Sequence, residues 1–305
     1  MTAVTTDNQT AAHALQCMEI WGGNEAIDNA ISVPGIDAWV VSEVYHGDAQ
    51  GGDVHYISMC GAGRITRFML ADVSGHGEDV GELGRSLRKL MRRNINTLNQ
   101  ARFARALNKQ FASAGRVGQF ATALLTTYFT PTDHLVICNA GHPRPLWYRA
   151  QTRQWHLLDG EADTPPEPPE PPEPTPSPPA DAPLTSDHIA NLPLGVIEPT
   201  AYEQFAIQLG RGDLIVVYTD SLIEAKSPQG KLLGESGLLE QAERLDASRP
   251  DRFAGALIDA LSDYRGGQKP DDDQTVFVLH HNAADPPAQS IGEKLKVMGK
   301  MIGLG

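Results

Sequence analysis

The chain has 305 residues, 41% of them hydrophobic, and a net charge of −13, which is enough apolar material for one well-buried core. That charge argues against non-specific nucleic-acid binding, which needs basic surface to displace counterions. No run approaches the roughly 18 apolar residues of a membrane span, and the N-terminal MTAVTTDNQTAAHAL lacks the basic start and apolar run of a secretory signal. A soluble cytoplasmic protein is the expectation. Cys17, Cys60 and Cys138 are far apart and form no C-x-x-C pair, so each is expected to be a small buried apolar residue.

In chain order, residues 1–35 read as an N-terminal extension and residues 36–282 as one domain. Ala38–Glu43 and Arg64–Val73 are short apolar runs ending in acidic or small residues, as strands do. From Glu78 to Ile95, Val80, Leu83, Leu87, Leu90 and Met91 recur at spacings of three and four, the period of an amphipathic helix. A second helix is predicted over Ala101–Ala112, with Phe103, Leu107 and Phe111 on one stripe. Phe120–Thr130, Leu135–Asn139 and Pro145–Arg149 read as consecutive strands joined by turns.

The segment Glu161–Pro183 carries half of the chain's 22 prolines among acidic residues, a composition that forms neither helix nor central strand. It reads as an extended insertion, bounded at 161–187, in a surface loop; docking into a proline-recognising groove is the functional alternative. Beyond it, Tyr202–Leu209 and Asp213–Asp220 are predicted strands, Leu238–Tyr264 is helical, and Thr275–Leu279 is the last strand. Residues 283–305 form a tail whose Ile291, Leu295, Met298 and Ile302 lie on one helical face. Strands in runs, then helices in runs, predict an α+β fold with antiparallel sheets.

Four acidic positions share a signature, lying beside glycine, at a strand end, or both: Asp53 in Gly-Gly-Asp, Asp72 before V-S-G-H-G, Asp220 closing DLIVVYTD, and the pair Asp272 and Asp273 in PDDDQT. Strand-end carboxylates are held by rigid backbone yet can converge on one point. Gathered together they repel one another unless a cation neutralises them. An all-oxygen donor set suits magnesium or manganese. Two such ions can lower the pKa of a water and clamp a phosphoryl oxygen, chemistry that needs no protein nucleophile.

The order GGD, LADVSGHG, FATA, NAGHP, LPLG, GDLIVVYTDSLIE and DD-x-T resembles the phosphatase domain of the stage II sporulation phosphatase E family, within the metal-dependent phosphatases related to protein phosphatase 2C. The resemblance runs from about Ala38 to Leu279, on both sides of the proline tract. It implies a four-layer αββα sandwich of two antiparallel sheets flanked by helices, and a protein serine/threonine phosphatase using water activated by two Mn2+ or Mg2+ ions. It implies that Asp53 ligates one metal, Asp72 bridges both, the backbone carbonyl of Val73 ligates the second and Asp220 the first. In DD-x-T the ligand is Asp272, although Asp271 leaves room for a slip of one residue.

No arginine matches the phosphate-binding arginine of the eukaryotic relatives. Arg64, Arg85 and Arg88 are candidate substrate-binding residues, with Arg67 and Lys89 beside them. His76 and His142 either aid the leaving group or hold their glycine turns. The resemblance further implies a phosphorylated anti-sigma-factor antagonist or similar regulator as substrate, a regulatory protein, and a homodimer through helices 78–96 and 101–112. The rival reading is a pseudophosphatase that keeps the fold and only binds a partner.

Overall fold

The computed structural model describes residues 12–15, 19–45, 48–61, 63–75, 78–114, 118–160 and 190–285. The proline tract, the C-terminal tail helix, Cys17 and His76 lie outside the described residues. Thirteen strands among the described residues make two sheets. The first is seven-stranded, in the order β1 (His13–Ala14), β3 (Ile27–Val33), β4 (Ile36–Glu43), β13 (Gln274–His281), β12 (Leu214–Tyr218), β9 (Leu146–Arg149), β10 (Gln154–Leu157). The second is six-stranded, in the order β11 (Phe205–Gln208), β8 (His134–Ala140), β7 (Ala121–Phe129), β6 (Ile65–Val73), β5 (Asp53–Cys60), β2 (Ile20–Gly23). Every pairing is antiparallel except β1 with β3.

Helices α1 (Glu78–Arg93) and α2 (Gln100–Ala114) pack on the six-stranded sheet, and α3 (Gly234–Glu243) and α4 (Pro250–Tyr264) on the seven-stranded one. Three apolar clusters separate four layers. Val54, Tyr56, Leu87 and Phe103 fill the space under α1 and α2; Ile57, Phe68, Leu70 and Phe277 fill the space between the sheets; Val216, Phe253 and Leu257 fill the space under α3 and α4. The chain is therefore the αββα sandwich that the motif order implies.

Strand alternation explains where the site falls. Along β5, Val54 and Tyr56 face the helices while Ile57 and Met59 face the sandwich interior, so Asp53 turns inward. Along β6, Phe68 and Leu70 share the inward face with Asp72. The register of β5 with β6 sets Asp53 directly opposite Asp72 at one end of the hairpin.

Residues 20–33 are not an extension outside the domain: β2 closes one sheet and β3 lies within the other. They escape the sequence reading because IWGG and IDNAISV carry Gly, Asp and Asn, which strand propensity disfavours, and pairing with β5 and β4 decides their conformation. β5 is hidden for another reason. Both of its faces are buried, so its sequence shows no period of two.

Candidate metal-dependent active site

Each element delivers one carboxylate to the same end of the sandwich interior. Asp53 opens β5 and Asp72 nearly closes β6 opposite it. Asp220 comes after β12 as the first residue of a 3-10 turn, Asp220–Leu222. Asp272 and Asp273 immediately precede β13, whose central position beside β12 brings them in.

The electrostatics show the convergence. Burial, and then the charges of Asp220, Asp272, Asp273 and Glu224, push Asp72 up to about 8. Burial and the charge of Asp72 raise Asp53 well above the carboxylate range. Burial followed by Glu224 and Asp272 raises Asp220. Six acidic side chains thus act on one another without a compensating arginine or lysine in these interactions. A cation would reverse that cost.

The supporting shell is explicit. Asp53 is buried at 2% exposure, and its Oδ2 accepts hydrogen bonds from Thr275 Oγ1 at 2.6 Å and Thr219 Oγ1 at 3.0 Å. Thr219 Oγ1 in turn accepts from Thr275 N at 3.0 Å, and Ser42 Oγ lies 2.8 Å from Thr275 Oγ1. The other oxygen, Oδ1, is buried with no hydrogen-bond partner. A buried carboxylate oxygen left without a donor is costly unless something else binds it.

Gly51 and Gly52 are required by closeness. A Cβ on Gly52 would stand 2.7 Å from the Val73 carbonyl oxygen, and one on Gly51 would collide with Asp273 Oδ2. The Val73 carbonyl therefore borders the same cradle as Asp53 and Asp72.

These residues fit a divalent cation on three grounds: an orphaned buried oxygen, mutually repelling carboxylates, and a donor set made of oxygen alone. As placed, no group of three or more His, Cys, Asp or Glu side chains among the described residues is arranged to hold a metal ion. Asp53, Asp72, Asp220 and Asp272 are linked by the charges through which they raise one another.

The two aspartates of PDDDQT divide their labour. Asp273 is 5% exposed, and its carboxylate accepts from Tyr45 N at 2.7 Å and Gly52 N at 2.5 Å, tying the β4–β5 connection to β13. Asp272, half-buried, accepts from Asp273 N at 2.8 Å and adds its charge to Asp72 and Asp220. This favours Asp272 over Asp271, which is exposed and faces Lys226 at 3.9 Å. Asp272→Asn is expected to weaken manganese binding at least tenfold with little change in melting temperature. Asp273→Ala is expected to destabilise the chain by about 2–4 kcal/mol, because one buried and one half-buried N–H group lose their acceptor. Titration calorimetry and thermal melts separate the two; equal effects in both assays would remove the distinction.

Other sequence candidates fare differently. Arg64 is a correction: it sits exposed in the β5–β6 turn, at the opposite end of the hairpin from Asp53 and Asp72, about 25 Å away at strand rise. Arg67 is 2% exposed and donates to Thr97 O at 3.3 Å, so it anchors the α1–α2 connection. Arg85 is exposed and donates to Glu82 Oε1 at 3.4 Å. Arg88 lies beside β5, where its charge joins burial in pushing His55 down to about 4. No hydrogen bond or ion pair among the described residues ties Arg85 or Arg88 to the carboxylate cluster.

His142 holds its turn. Its N–H donates to Asn139 Oδ1 at 2.7 Å and its carbonyl accepts from Asn139 Nδ2 at 2.8 Å. Burial pushes it down to about 3, and its Nδ1 lies 2.8 Å from Thr122 Oγ1, whose residue pairs with Asp72. It is a neutral positioning residue.

Sequence reasoning missed the roles of Thr219, Thr275 and Thr122. All three lie inside motifs already singled out, YTD, DD-x-T and FATA, but a threonine carries no chemical signal until its carboxylate partner is known. A cleft of about 740 Å3 between β10 and the α3–α4 connection, lined by Tyr148, Arg153, His156 and Asp246, holds none of these aspartates.

The fold is that of the protein phosphatase 2C class of serine/threonine phosphatases. Residues 62–165 and 180–282 match the family model of Stage II sporulation protein E (SpoIIE), and the chain belongs to that family. No curated protein is significantly similar in sequence. Among solved structures, the RsbU and RsbW domains of a Mycobacterium tuberculosis protein align with TM-score 0.64 and 22% identity, over 92% of this chain and 70% of that one. The phosphatase domain and part of the regulatory domain of Bacillus subtilis SpoIIE align at 0.60 and 16%, over 89% and 72%. The catalytic domain of the phosphatase PstP, solved with 2 manganese ions, aligns at 0.52 and 16%, over 80% and 97%. Among the described residues no helix is long and apolar enough to cross a membrane.

Proposed function

We propose that the chain hydrolyses phosphoserine or phosphothreonine on a protein, with Asp53, Asp72, Asp220, Asp272 and the Val73 carbonyl holding two divalent cations, Mn2+ or Mg2+. The observation that carries this is the buried Asp53–Asp72 pair, one oxygen of which has no partner while both carboxyls are forced upward by burial and neighbouring acidic charge. Bound cations would supply neutralisation of the phosphoryl oxygens and an attacking water of lowered pKa.

The protein's own share is positional. Thr219 and Thr275 fix the rotamer of Asp53, leaving its second oxygen free to bind. Asp273 fastens the Gly51–Gly52 turn, so the Val73 carbonyl meets a wall without side chains. Glu224 adds negative charge beside Asp72 and Asp220, which favours cation capture over substrate contact. Burial keeps His142 neutral, which favours its turn-holding role over proton donation; His76 lies outside the described residues and keeps that role in the proposal.

The substrate we infer is a phosphorylated anti-sigma-factor antagonist or similar small regulator, in the cytoplasm, with a regulatory protein and self-association through residues 78–96 and 101–112 as further parts of the reading. The pairing of RsbU and RsbW domains in the mycobacterial neighbour supports a setting with regulatory partners.

The decisive experiment is phosphate release from a phosphoserine peptide with manganese and with chelator. Manganese-dependent turnover abolished by chelator is the expected result. Manganese bound without turnover on peptides or phosphoproteins would leave the partner-binding reading, and no binding of metal would end the catalytic one.

A further inference from the structure

Charge is partitioned unevenly along this acidic chain. Residues 83–132 contain nine of its 25 Lys and Arg residues and no Asp or Glu. Eight of the nine lie on α1 and α2. On α2, Arg102, Arg105 and Lys109 are exposed at spacings of three and four, one stripe of the helix. On α1, Lys89, Arg92 and Arg93 are likewise exposed. None of these six pairs with a carboxylate among the described residues, where the one ion pair on the two helices joins Arg85 to Glu82. Such a face attracts an acidic occupant.

The complementary charge lies in the same chain. Between Glu161 and Ile189 stand seven Asp and Glu residues and no Lys or Arg. Both ends of that segment are fastened beside α2. At one end, Gly160 packs so closely on Phe205 that a Cβ would stand 2.8 Å from its ring, and the neighbouring Gln204 Oε1 caps α2 by accepting from Gln100 N at 2.7 Å. At the other end, Ala190 bridges to Ala201, and Asn108 of α2 clamps residues 195–197, accepting from Gly195 N at 2.7 Å and donating to Ile197 O at 2.9 Å.

We infer that the cationic α1–α2 face is a docking surface for the chain's own acidic proline-rich segment 161–189. Reach is sufficient: 29 residues going out and back extend about 45 Å at ~3.3 Å per residue, against about 22 Å for the 15-residue α2. Tethering at both ends places the acids at an effective concentration on the order of millimolar, so weak screened attractions suffice. The exposed Val196 and Ile197, held against α2 through Asn108, give the prolines apolar surface to cover. An acidic partner reaching this face has to displace the segment.

The test uses the full chain and a labelled synthetic peptide of sequence 161–187, observed by fluorescence anisotropy. The peptide is expected to bind a Glu167→Gln, Glu170→Gln, Glu173→Gln chain at least ~10-fold more tightly than the intact chain, whose own segment competes. Arg92→Glu with Arg105→Glu, added to that chain, should weaken binding at least ~10-fold, and raising salt from about 50 to about 500 mM should do the same. All substitutions are at exposed helix positions or in the proline segment, and matching thermal melts check that each chain is folded. Equal tight binding to intact and neutralised chains would show the face open to an acidic partner and overturn the proposal. Indifference to the Arg92 and Arg105 changes would overturn it as well. So would a dimer by light scattering that Arg92→Glu with Arg105→Glu dissolves while peptide binding is unchanged, since a second copy would then be the occupant.

Discussion

Asp72→Asn is expected to lower phosphate release by about 10³-fold or more, on the several kcal/mol that bridged metal ions contribute to a developing phosphoryl charge. The same change should raise the melting temperature of the metal-free chain. Asp72 stands opposite Asp53 and among Asp220, Asp272, Asp273 and Glu224, and burial with those charges holds it up to about 8. An amide of equal size removes both the repulsion and the cost of a buried ionised group. A gain of about 4 °C or more, roughly 1–2 kcal/mol for a domain of this size, is the expected reading. Residues that lower stability while enabling chemistry are a familiar trade-off. A variant that loses both activity and stability would mean Asp72 is structural, and retained turnover would remove it from the site.

Stripping the metal is expected to make stability fall as pH rises. Asp72 titrates near ~3.9 in an unfolded chain and about 8 in the folded one, with Asp53 and Asp220 raised in the same direction. The folded chain thus holds protons that the unfolded chain has released. Its advantage is full below about pH 4 and is lost progressively as pH climbs through about 8. Manganese should act oppositely, because a carboxylate must lose its proton to ligate. With metal at about 100 times its dissociation constant, stabilisation is about 2.7 kcal/mol, or roughly 5–10 °C. That gain should be small near about pH 5 and largest near about pH 8. Thermal melts with chelator and with manganese across this range test it. A flat chelator profile, or a manganese shift equal at both ends, would mean the carboxylates are not coupled as the structure places them.

The motifs found in the sequence were legible because strand-end aspartates beside glycine are local features. Gly-Gly-Asp, A-D-V-S-G-H-G, YTD and DD-x-T each announce a carboxylate near a turn, and their order carried the family. The long helices were legible too: Val80, Leu83, Leu87, Leu90 and Met91 bury the predicted face of α1. Predicted bounds drift by one to three residues at strand ends, as in Tyr202–Leu209 against β11 at Phe205–Gln208. The helical stretch Leu238–Tyr264 divides into α3 and α4 at Arg249–Pro250, where proline begins a helix and cannot continue one.

Arg64 shows why charge in a sequence does not place a substrate. It lies eight residues before Asp72, yet a strand carries it the full length of the sandwich. Thr219, Thr275 and Asp273 show the converse. They are separated from Asp53 by more than 160 positions, and only β12 and β13 entering the centre of the opposite sheet brings them to it. Local periodicity, glycine turns and carboxylate-bearing motifs determined by themselves which elements exist and which chemistry is available. Tertiary structure alone decided which oxygen of Asp53 stays free, that Asp272 and Asp273 face the cluster while Asp271 faces Lys226, and that the cationic helices lie beside both ends of the acidic segment, because each depends on contacts between residues that the chain holds far apart.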